Sequence, residues 1–598
     1  MRGWSLCPPD DATMEESAPL VTPQTSGLRR LWSRMSRTKT VEEVMADHDA
    51  SLDGMGEASL HRALTAWDLI AYGLGSTLGA GIYVTVGVAA NEDAGPGVMF
   101  SFMLASLACM FSAFCYAEFA SRVPVSGSAY TFAYTCLGEG VAWFISWNLL
   151  LEYGISASAV ARGWASYVAA LMDNLGAPLP HWLYDWHVGP FSLSPLAVVI
   201  VAVCTVVLVG GVKESARLNL IMTGINVAII GFIIIVGSFH VHSDNLTPVV
   251  REDKGVSGIV SAAGIVFFSY IGFDAVSTLA GEVRNPQRDL PIGILGTLAG
   301  ATVLYVAVSL ILTGMVPYHL IDENSPLTQA FNYAGVRWAG TVVAMGSVTT
   351  LSATTLCSLF GQPRIFYSMA KDGLLGSAFA KLNNKQVPVF GTVLTGVTSA
   401  MICFVLDIGQ LTNMISIGTL LAFGTVCASV VLLRFVAPGT RVRATGLLIL
   451  FSVVTVVSSL LPRFVHGWAQ YVSIAVSVVV LLAIVAMLWR MPMAVLDAPF
   501  HSPLVPLFPC LGLYFNIHLI CGLDFPAIIR LVVWTIIGFV IYFMYGISHS
   551  AMEQRARIEK GASASTSSYS PSLTSPLGPG SPSNTAHLIT PPTPQLRY

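Results

Sequence analysis

Residues 73–83, GLGSTLGAGIY, decide the fold of this chain. They lie in the middle of an apolar segment that runs from Trp67 to Ala90 and is long enough to cross a membrane as a helix. In hydrocarbon an unpaired backbone amide is costly, so a glycine-rich interruption is tolerated there only where it lines a cavity. Four glycines make this interruption: Gly73, Gly75, Gly79 and Gly81. The sequence therefore predicts a broken membrane helix.

A second interruption has the same character. Residues 267–278, FFSYIGFDAVST, place Ser269, Gly272 and Asp274 near the middle of the apolar segment Val256 to Ala280. The two interrupted segments are the first members of two successive five-helix sets. Such matched breaks are typical of transporters with inverted repeats, in which half-helix N-termini offer N–H groups to an anion and exposed carbonyls accept from a cation.

The composition agrees with a membrane protein. Of 598 residues, 54% are hydrophobic and 11% are charged, whereas soluble proteins carry about 25% charged residues. The mean hydropathy is +0.69. A net charge of −3 gives no basic field for a nucleic acid. The ten cysteines include no C-x-x-C pair, so neither a disulfide scaffold nor a metal site is indicated, and we expect no cofactor.

Fourteen apolar segments are long enough to span a bilayer, which predicts an all-α integral membrane protein. Their extents are Trp67 to Ala90, Gly97 to Ser121, Glu139 to Met172, Ser194 to Gly211, Leu218 to Phe239, Val256 to Ala280, Ile292 to Val316, Ala339 to Tyr367, Val389 to Leu406, Leu411 to Phe435, Thr445 to Leu461, Trp468 to Trp489, Leu504 to Leu523 and Ile528 to Tyr545. We expect a disordered cytosolic tail over residues 1–60, a ten-helix core over 61–435, four additional helices over 436–548 and a second disordered tail over 549–598.

The loop charges predict the orientation. Lys and Arg are concentrated in the loops that follow the even-numbered segments, and short cytoplasmic loops are enriched in these residues. Both tails are therefore expected in the cytoplasm. The sequon Asn245-Leu246-Thr247 then falls in an outward loop, where Asn245 is a glycosylation candidate that the following Pro248 disfavours.

A free amino acid has both charges that the two breaks would bind. We expect the backbone of the first break to hold an α-carboxylate and the carbonyls of the second to hold an α-amino group. The residues concerned are Gly79, Ala80, Gly81 and Ile82 in the first break, and Phe267, Phe268, Ser269 and Ile271 in the second. Close helix packing by small residues is the alternative for either segment alone. A dinucleotide fingerprint would need a strand before the glycines, which a membrane segment does not offer.

Acidic residues at membrane depth are expensive and usually functional. The chain has four of them: Glu118, Glu139, Glu152 and Asp274. Glu152 lies well inside the third segment, where it is a candidate for proton movement or for contact with a cation; a neutral, hydrogen-bonded helix contact is the alternative. Glu118 and Glu139 flank a cytoplasmic loop, as gating candidates or as partners of structural ion pairs, with Arg122 for example.

Eight motifs in order then give the chain a family resemblance. They are GSTLGAGIYV, ANEDAGPGVMFSF, CYAEFASRVPVSGSAYTFAY, GVKESA, FFSYIGFDAVST, GEVRNPQRDLPIGI, PRIFYSMAKDGLL and ISIGTLLAFGTV. Together they resemble the cationic amino acid transporter subfamily of the amino acid–polyamine–organocation superfamily, in its plant-type and bacterial-like form. The resemblance covers about Arg62 to Ser548.

The resemblance implies a LeuT-like core of five plus five helices with helices 1 and 6 broken, and four further helices. It implies Na⁺-independent transport of arginine, lysine or ornithine by alternating access, and no enzyme activity. A small pocket residue on the eighth segment corresponds to Ser358, which would leave room for a long cationic side chain. Proton-coupled bacterial relatives have Lys where this chain has Asn226. An amide cannot titrate, which puts proton coupling at that position in doubt, whereas the acidic partner in those relatives is retained as Glu152.

Several alternatives stay open. The chain can instead be a transporter of a broad range of amino acids, of neutral amino acids or of polyamines, or it can be a membrane amino-acid sensor. A disulfide-linked heavy chain is disfavoured because the outer loop Asp173 to Pro190 has no Cys. We expect a monomer or weak oligomer that contacts only substrate and lipid. Residues 16–21, ESAPLV, resemble an acidic dileucine signal, so the plasma membrane and a vacuole or lysosome are both possible locations.

Overall fold

The computed structural model describes residues 27–40, 43–44, 64–79, 81–123, 128–188, 191–211, 216–385, 387–435, 437–461, 464, 467–494, 500–523 and 525–554. The described residues up to Ala551 form one compact unit. The second unit, 552–598, lies almost entirely outside the described residues, as do residues 1–26 with the ESAPLV motif.

The described chain is mostly helical. The longer helices are α1 (Gly27–Met35), α2 (Ala66–Thr77), α3 (Val98–Arg122), α4 (Ser128–Cys136), α5 (Glu139–Asn174), α6 (Pro195–Val209), α7 (Ala216–Ser238), α8 (Gly255–Val266), α9 (Pro286–Met315), α10 (Pro326–Tyr333), α11 (Arg337–Lys371), α12 (Val389–Val405), α13 (Ile408–Leu433), α14 (Pro438–Leu460), α15 (Trp468–Arg490), α16 (Leu507–Gly522) and α17 (Phe525–Ile541). A hairpin of β1 (Trp186–Val188) and β2 (Phe191–Leu193) precedes α6.

Each of the fourteen apolar segments predicted from the sequence contains helix, and the first and sixth are interrupted. Within the described residues, eight helices are long and apolar enough to cross a membrane by length and composition, and four shorter apolar helices accompany them. Several helices begin with proline at their first turn, as at Pro195 and Pro286, where the missing N–H removes no intrahelical bond. That all fourteen segments cross the membrane in a five-plus-five repeat stays a prediction.

Both predicted breaks interrupt regular helix. Helix α2 ends at Thr77. After three intervening residues, a π-helical turn, Gly81–Thr85, continues the segment. Helix α8 passes into a 3₁₀ turn, Phe267–Tyr270, and the chain then extends at Ile271 before a second 3₁₀ stretch, Asp274–Glu282. Gly272 has φ +128°, a conformation that favours glycine because it has no Cβ.

The interpretation of residues 1–60 as a disordered tail is wrong for residues 27–40. Residues 27–35 form α1, and the chain beyond it packs on the start of α5. The amide of Glu139 donates to the carbonyl of Arg37 over 2.9 Å, and the Lys39 ammonium lies 2.7 Å from the Asp372 carboxylate. The polar composition of this stretch predicted disorder because the sequence alone does not show the partners that these backbone and charged groups find on the helix ends.

Two ends of the helical body can be told apart by these contacts. The end that carries Glu139, Asp372 and Ser550 is called the tail face, because the N-terminal residues 27–40 and the C-terminal residues 547–551 both pack there. The opposite end is called the far face; it carries residues 89–97, 318–325 and Asp407 at the start of α13. Both breaks lie between the two faces.

Candidate functional site

The two breaks cross each other directly. A Cβ added at Gly81 would lie 2.4 Å from the Cα of Ser269, so only glycine permits this approach. On the other side, a Cβ at Gly272 would meet the backbone of Ser76 and Thr77 within about 3 Å. The glycines of the sequence motif therefore bring the two interrupted backbones into contact in the middle of the helical body.

One tyrosine joins the two breaks. The hydroxyl oxygen of Tyr305, on α9, lies 2.7 Å from the carbonyl oxygen of Thr77 and 2.6 Å from that of Ser269. Tyr305 is fully buried. Carbonyls freed by a helix break need donors, since none comes from water at this depth. The single phenol proton serves both carbonyls and fixes the distance between the two segments.

Other side chains satisfy the remaining carbonyls of the first break. The amide of Asn226, on α7, donates to the carbonyl of Leu78, and its oxygen accepts from the Tyr83 hydroxyl over 2.8 Å. The Tyr167 hydroxyl donates to the carbonyl of Tyr83 over 2.8 Å. Asn226, singled out by the sequence, thus supports the break as a neutral donor and acceptor.

The predicted substrate residues of the first break lie together at this crossing. The Gly79 amide donates to the Thr77 carbonyl over 2.9 Å, and Ala80 lies outside the described residues. Gly81 and Ile82, both buried, begin the π-helical turn. The first N–H groups of a helical segment have no partner within the segment and carry its partial positive charge.

In the second break, part of the predicted carbonyl set is already engaged. The Ser269 carbonyl accepts from Tyr305, and that of Phe268 accepts from the Ile271 amide over 3.1 Å. The Ser269 hydroxyl lies 2.9 Å from the hydroxyl of Thr85, which also bonds to the Gly81 carbonyl. Phe267 is buried in the adjoining 3₁₀ turn, whereas Ile271 is half-buried in extended backbone.

A small cavity lies beside the first break. Its walls come from three helices and are formed by Gly75, Met222, Thr223, Asn226, Thr350, Ala353, Thr354 and Cys357. The hydroxyls of Thr223 and Thr350 are buried and have no hydrogen-bond partner within the described part of the chain. Ser358 follows Thr354 by one helical turn on α11 and is half-buried. A Cβ at Gly79 would meet Thr354 at 2.6 Å, so this face of α11 packs on the break.

The four acidic residues have different surroundings. Glu118 lies 2.6 Å from Arg122 and 2.8 Å from Arg434, so it is ion-paired twice. Glu139 accepts hydrogen bonds from the hydroxyls of Tyr134, Tyr542 and Ser550.

Asp274 accepts from the Gly272 amide over 3.0 Å and so stabilises the turn of the second break. Glu152 accepts from the Thr419 hydroxyl through one oxygen, and its other oxygen is buried without a partner among the described residues.

Sequence reasoning missed Tyr305, Thr85 and Arg434. A signal existed for Tyr305, which is the sole tyrosine of the apolar segment Ile292 to Val316 and brings a hydroxyl to membrane depth. Arg434 follows α13 directly, and only the fold shows that it meets Glu118. The Asn245 side-chain amide, the atom that a glycan would use, donates to the Gly314 carbonyl over 3.0 Å. No group of three potential metal ligands is found in the part of the chain that the structure describes.

The sequence of the whole helical body matches a known family. Residues 64–484 match the model of the amino acid permeases, and residues 500–550 match the model of the C-terminus of these permeases. The chain belongs to the amino acid permease family. It is a multi-pass membrane protein, and its family points to transport of amino acids rather than to an enzyme.

The matches to individual relatives extend over nearly the whole length of each relative. The chain is 35% identical to the cationic amino acid transporter 4, vacuolar, of Arabidopsis thaliana over 565 residues, 83% of this chain and 94% of the relative. It is 36% identical to the branched-chain amino acid permease BcaP of Bacillus subtilis (strain 168) over 524 residues, 87% and 99% of the two chains. It is 34% identical to the methylthioribose transporter of the same organism over 529 residues, 87% and 100%. The resemblance to cationic amino acid transporters is thus confirmed.

Proposed function

We propose that this permease carries cationic L-amino acids, namely arginine, lysine and ornithine, by alternating access and without Na⁺. The observation that carries the proposal is the crossing of the two broken helices at Gly81 and Ser269. A fully helical pair would offer no free backbone groups, whereas these breaks place N–H groups and carbonyls side by side between the two faces. An α-amino acid has the matching pair of charges.

Within this proposal the α-carboxylate binds at Gly79, Ala80, Gly81 and Ile82. Because the Gly79 amide already donates to the Thr77 carbonyl, the N–H groups of Gly81 and Ile82, where the π-helical turn begins, are the main donors. The α-amino group binds the carbonyls of the second break. Because Tyr305 and the Ile271 amide engage the Ser269 and Phe268 carbonyls, the Ile271 carbonyl in extended backbone is the main acceptor, with Phe267 beside it. The α-carboxylate and the α-amino group of an amino acid are attached to one carbon, so they can reach the two adjacent breaks together.

Preference for a cationic side chain is supported by the far face. Asp322 and Glu323 precede α10, and Asp407 caps α13. Burial and the neighbouring carboxylates of Asp322 and Asp407 raise the pKa of Glu323. A cluster of carboxylates at a mouth raises the local concentration of cations and their rate of entry. Ser358, one turn beyond Thr354, gives a long side chain room on the α11 side.

The proposed topology has both termini in the cytoplasm, so that the tail face is inside and the acidic far face meets the exterior or a lumen. The loop charges support this orientation. At the first break, Asn226 bonds to Leu78 and Tyr83 as a neutral group, so proton exchange there is not part of the proposal. A facilitative carrier follows unless Glu152 titrates during the cycle.

A neutral substrate is the second candidate. It is favoured by the similarity to BcaP, whose name gives branched-chain amino acids, at 36% identity. The backbone site would hold the amino acid core in either case, since every amino acid shares the two charges. Only the side-chain pocket near Ser358 and the charge of the far face distinguish the two candidates.

The deciding experiment is uptake of labelled arginine into proteoliposomes of the purified protein, with leucine as competitor and at two internal pH values. Saturable arginine flux that does not respond to the pH gradient supports the proposed carrier, and accumulation driven by the gradient shows proton coupling, for which Glu152 is the candidate. Uptake of labelled leucine, measured in parallel, that exceeds arginine uptake contradicts the cationic preference. Specific binding without flux contradicts transport and supports a sensor.

The pocket assignment has its own test. We expect Ser358→Met to reduce arginine uptake about tenfold, a loss of about 1.4 kcal/mol, and uptake of small neutral amino acids much less, because the longer side chain fills the space for the guanidinium. Thr349→Met, on an exposed part of the same helix, is the matched control. Equal loss of both substrates at normal expression would remove Ser358 from the selectivity pocket.

A further inference from the structure

A small cavity lies between α5, α13 and α17. It is lined by Asn148, Leu151, Glu152, Ile417, Gly418, Arg530 and Leu531, which come from α5, α13 and α17. Two oxygens of its lining residues are buried and have no hydrogen-bond partner in the described residues, Oε2 of Glu152 and Oδ1 of Asn148. Glu152 is 5% exposed and Asn148 is 1% exposed. The cavity therefore contains acceptors that lack donors.

Arg530 offers the donors. Its guanidinium carries five N–H groups and no acceptor. Arg530 lines the cavity but is exposed, and it forms no ion pair with any residue that the structure describes. In the candidate span that contains it, only 11% of the apolar 18-residue window is buried, so this helix is on the outside of the bundle, where a membrane would place lipid. An unpaired guanidinium in the hydrocarbon region is unfavourable.

The depth of Arg530 follows from the packing of α17 on α5. The indole of Trp147 donates to the carbonyl of Trp534 over 2.8 Å, and the indole of Trp534 donates back to the Trp147 carbonyl over 2.9 Å. One turn towards the tail face, Trp143 donates to the Gly538 carbonyl. This antiparallel register puts Arg530 level with residues 151 and 152. At 1.5 Å per residue these lie about 20 Å from the start of α5, inside a hydrocarbon core of about 30 Å.

We propose that Arg530 is the counter-ion of Glu152: its guanidinium enters the cavity during the transport cycle and pairs with the unpartnered carboxylate oxygen. A buried carboxylate and a lipid-facing guanidinium are each costly alone, and pairing relieves both. Thr419 holds the other carboxylate oxygen, so Oε2 keeps its direction towards the cavity. Gly418 leaves the approach open, since a Cβ there would lie 2.9 Å from Oε2. Helix α17 thereby supplies the positive charge that neutralises the buried carboxylate of α5.

The test compares Arg530→Gln with Val533→Gln, which places the same amide on another lipid-facing position of α17. Thermal stability in detergent is measured first, and then the initial uptake rate of whichever amino acid the wild type carries. We expect Arg530→Gln to reduce uptake about tenfold, the change for a coupling of about 1.4 kcal/mol. Arg530→Lys, which keeps the charge, stays within about twofold, as does Val533→Gln.

Coupling to Glu152 decides the result. In a Glu152→Gln background the further change Arg530→Gln has an effect of less than about twofold, because the partner is already gone. If Arg530→Gln lowers folding yield, recovery of the yield in the double variant supports the same pairing. Full additivity of the two substitutions, or an Arg530→Gln protein that behaves like Val533→Gln, overturns the proposal. The uptake measurement rests on the proposed transport function, whereas the stability measurement does not. Absence of uptake in the wild type would therefore contradict the transport function without contradicting the ion pair.

Discussion

Gly81 is the residue whose size decides whether the two breaks can meet. A methyl group there would lie 2.4 Å from the Ser269 backbone, which cannot move aside like the end of a flexible side chain. We expect Gly81→Ala to lower the free energy of unfolding by about 1–3 kcal/mol and to abolish uptake. Gly224→Ala, on α7, is the control, because a Cβ there meets nothing within 4 Å. Equal melting temperatures and equal uptake for both variants would contradict the crossing.

Tyr305 contributes a single hydroxyl whose removal can be isolated. Tyr305→Phe keeps the ring and leaves the Thr77 and Ser269 carbonyls without their donor, which costs about 1–3 kcal/mol for a buried group. We expect a lower melting temperature and slower uptake. Tyr333→Phe removes the same hydroxyl from an exposed ring and serves as the matched control. A melting temperature unchanged in both variants would show that the bridge is not needed.

At the scale of single residues, the sequence predicted that the backbone is broken at the glycines, but it did not predict which side chains bind the broken backbone. Glycine runs inside apolar segments indicate broken backbone because few other structures tolerate them at membrane depth. Two side chains that satisfy carbonyls of the first break, those of Asn226 and Tyr305, come from segments more than a hundred residues away. No local pattern links them to the break.

The pairing of elements is seen most clearly where α3, α13 and the chain before α16 meet. Glu118 is ion-paired with Arg122 and Arg434, and its second oxygen accepts from the Ser502 amide over 2.8 Å. We expect Glu118→Gln to destabilise the protein by about 3 kcal/mol, because two guanidiniums then stay buried without a carboxylate. Melting temperature measures this, with the exposed Glu252→Gln as control. A loss no larger than in that control would show that the three elements are held by other contacts.

Helix extents could be predicted from hydrophobic length alone. The segment Glu139 to Met172 corresponds to α5, Glu139–Asn174, and Trp468 to Trp489 corresponds to α15, Trp468–Arg490. Hydropathy does not predict the kind of helix, so the π-helical turn at Gly81–Thr85 and the 3₁₀ turn at Phe267–Tyr270 appear only in the structure. It also missed α1, because nine residues are too few to give a membrane signal.

For the whole molecule, the two faces differ in chemistry. On the tail face, charged and hydroxyl groups are paired among the terminal segments and helix ends, as Lys39 is with Asp372 and Ser550 is with Glu139. On the far face, Lys254 pairs with Asp93, while Glu323 has carboxylates beside it. The ion pairs and hydrogen bonds of the tail face favour a closed, stable end. The excess of carboxylates on the far face favours the entry of cations.

The charge of the far face should make uptake of arginine sensitive to pH on that side. Because the pKa of Glu323 is raised by burial and by Asp322 and Asp407, this carboxyl loses its charge at a higher pH than an ordinary glutamate as the solution is acidified. We therefore expect the KM for arginine to rise when the far-face solution goes from pH 7 to pH 5, and the KM for leucine to change little, since leucine has no net charge to attract.

The variant Glu323→Gln should raise the arginine KM about threefold at pH 7 and flatten its pH dependence. The control Asp244→Asn, in an exposed loop of the same face, should leave the arginine KM and its pH dependence unchanged. Identical pH profiles for arginine and leucine in the wild type would show that the acidic far face does not select the substrate.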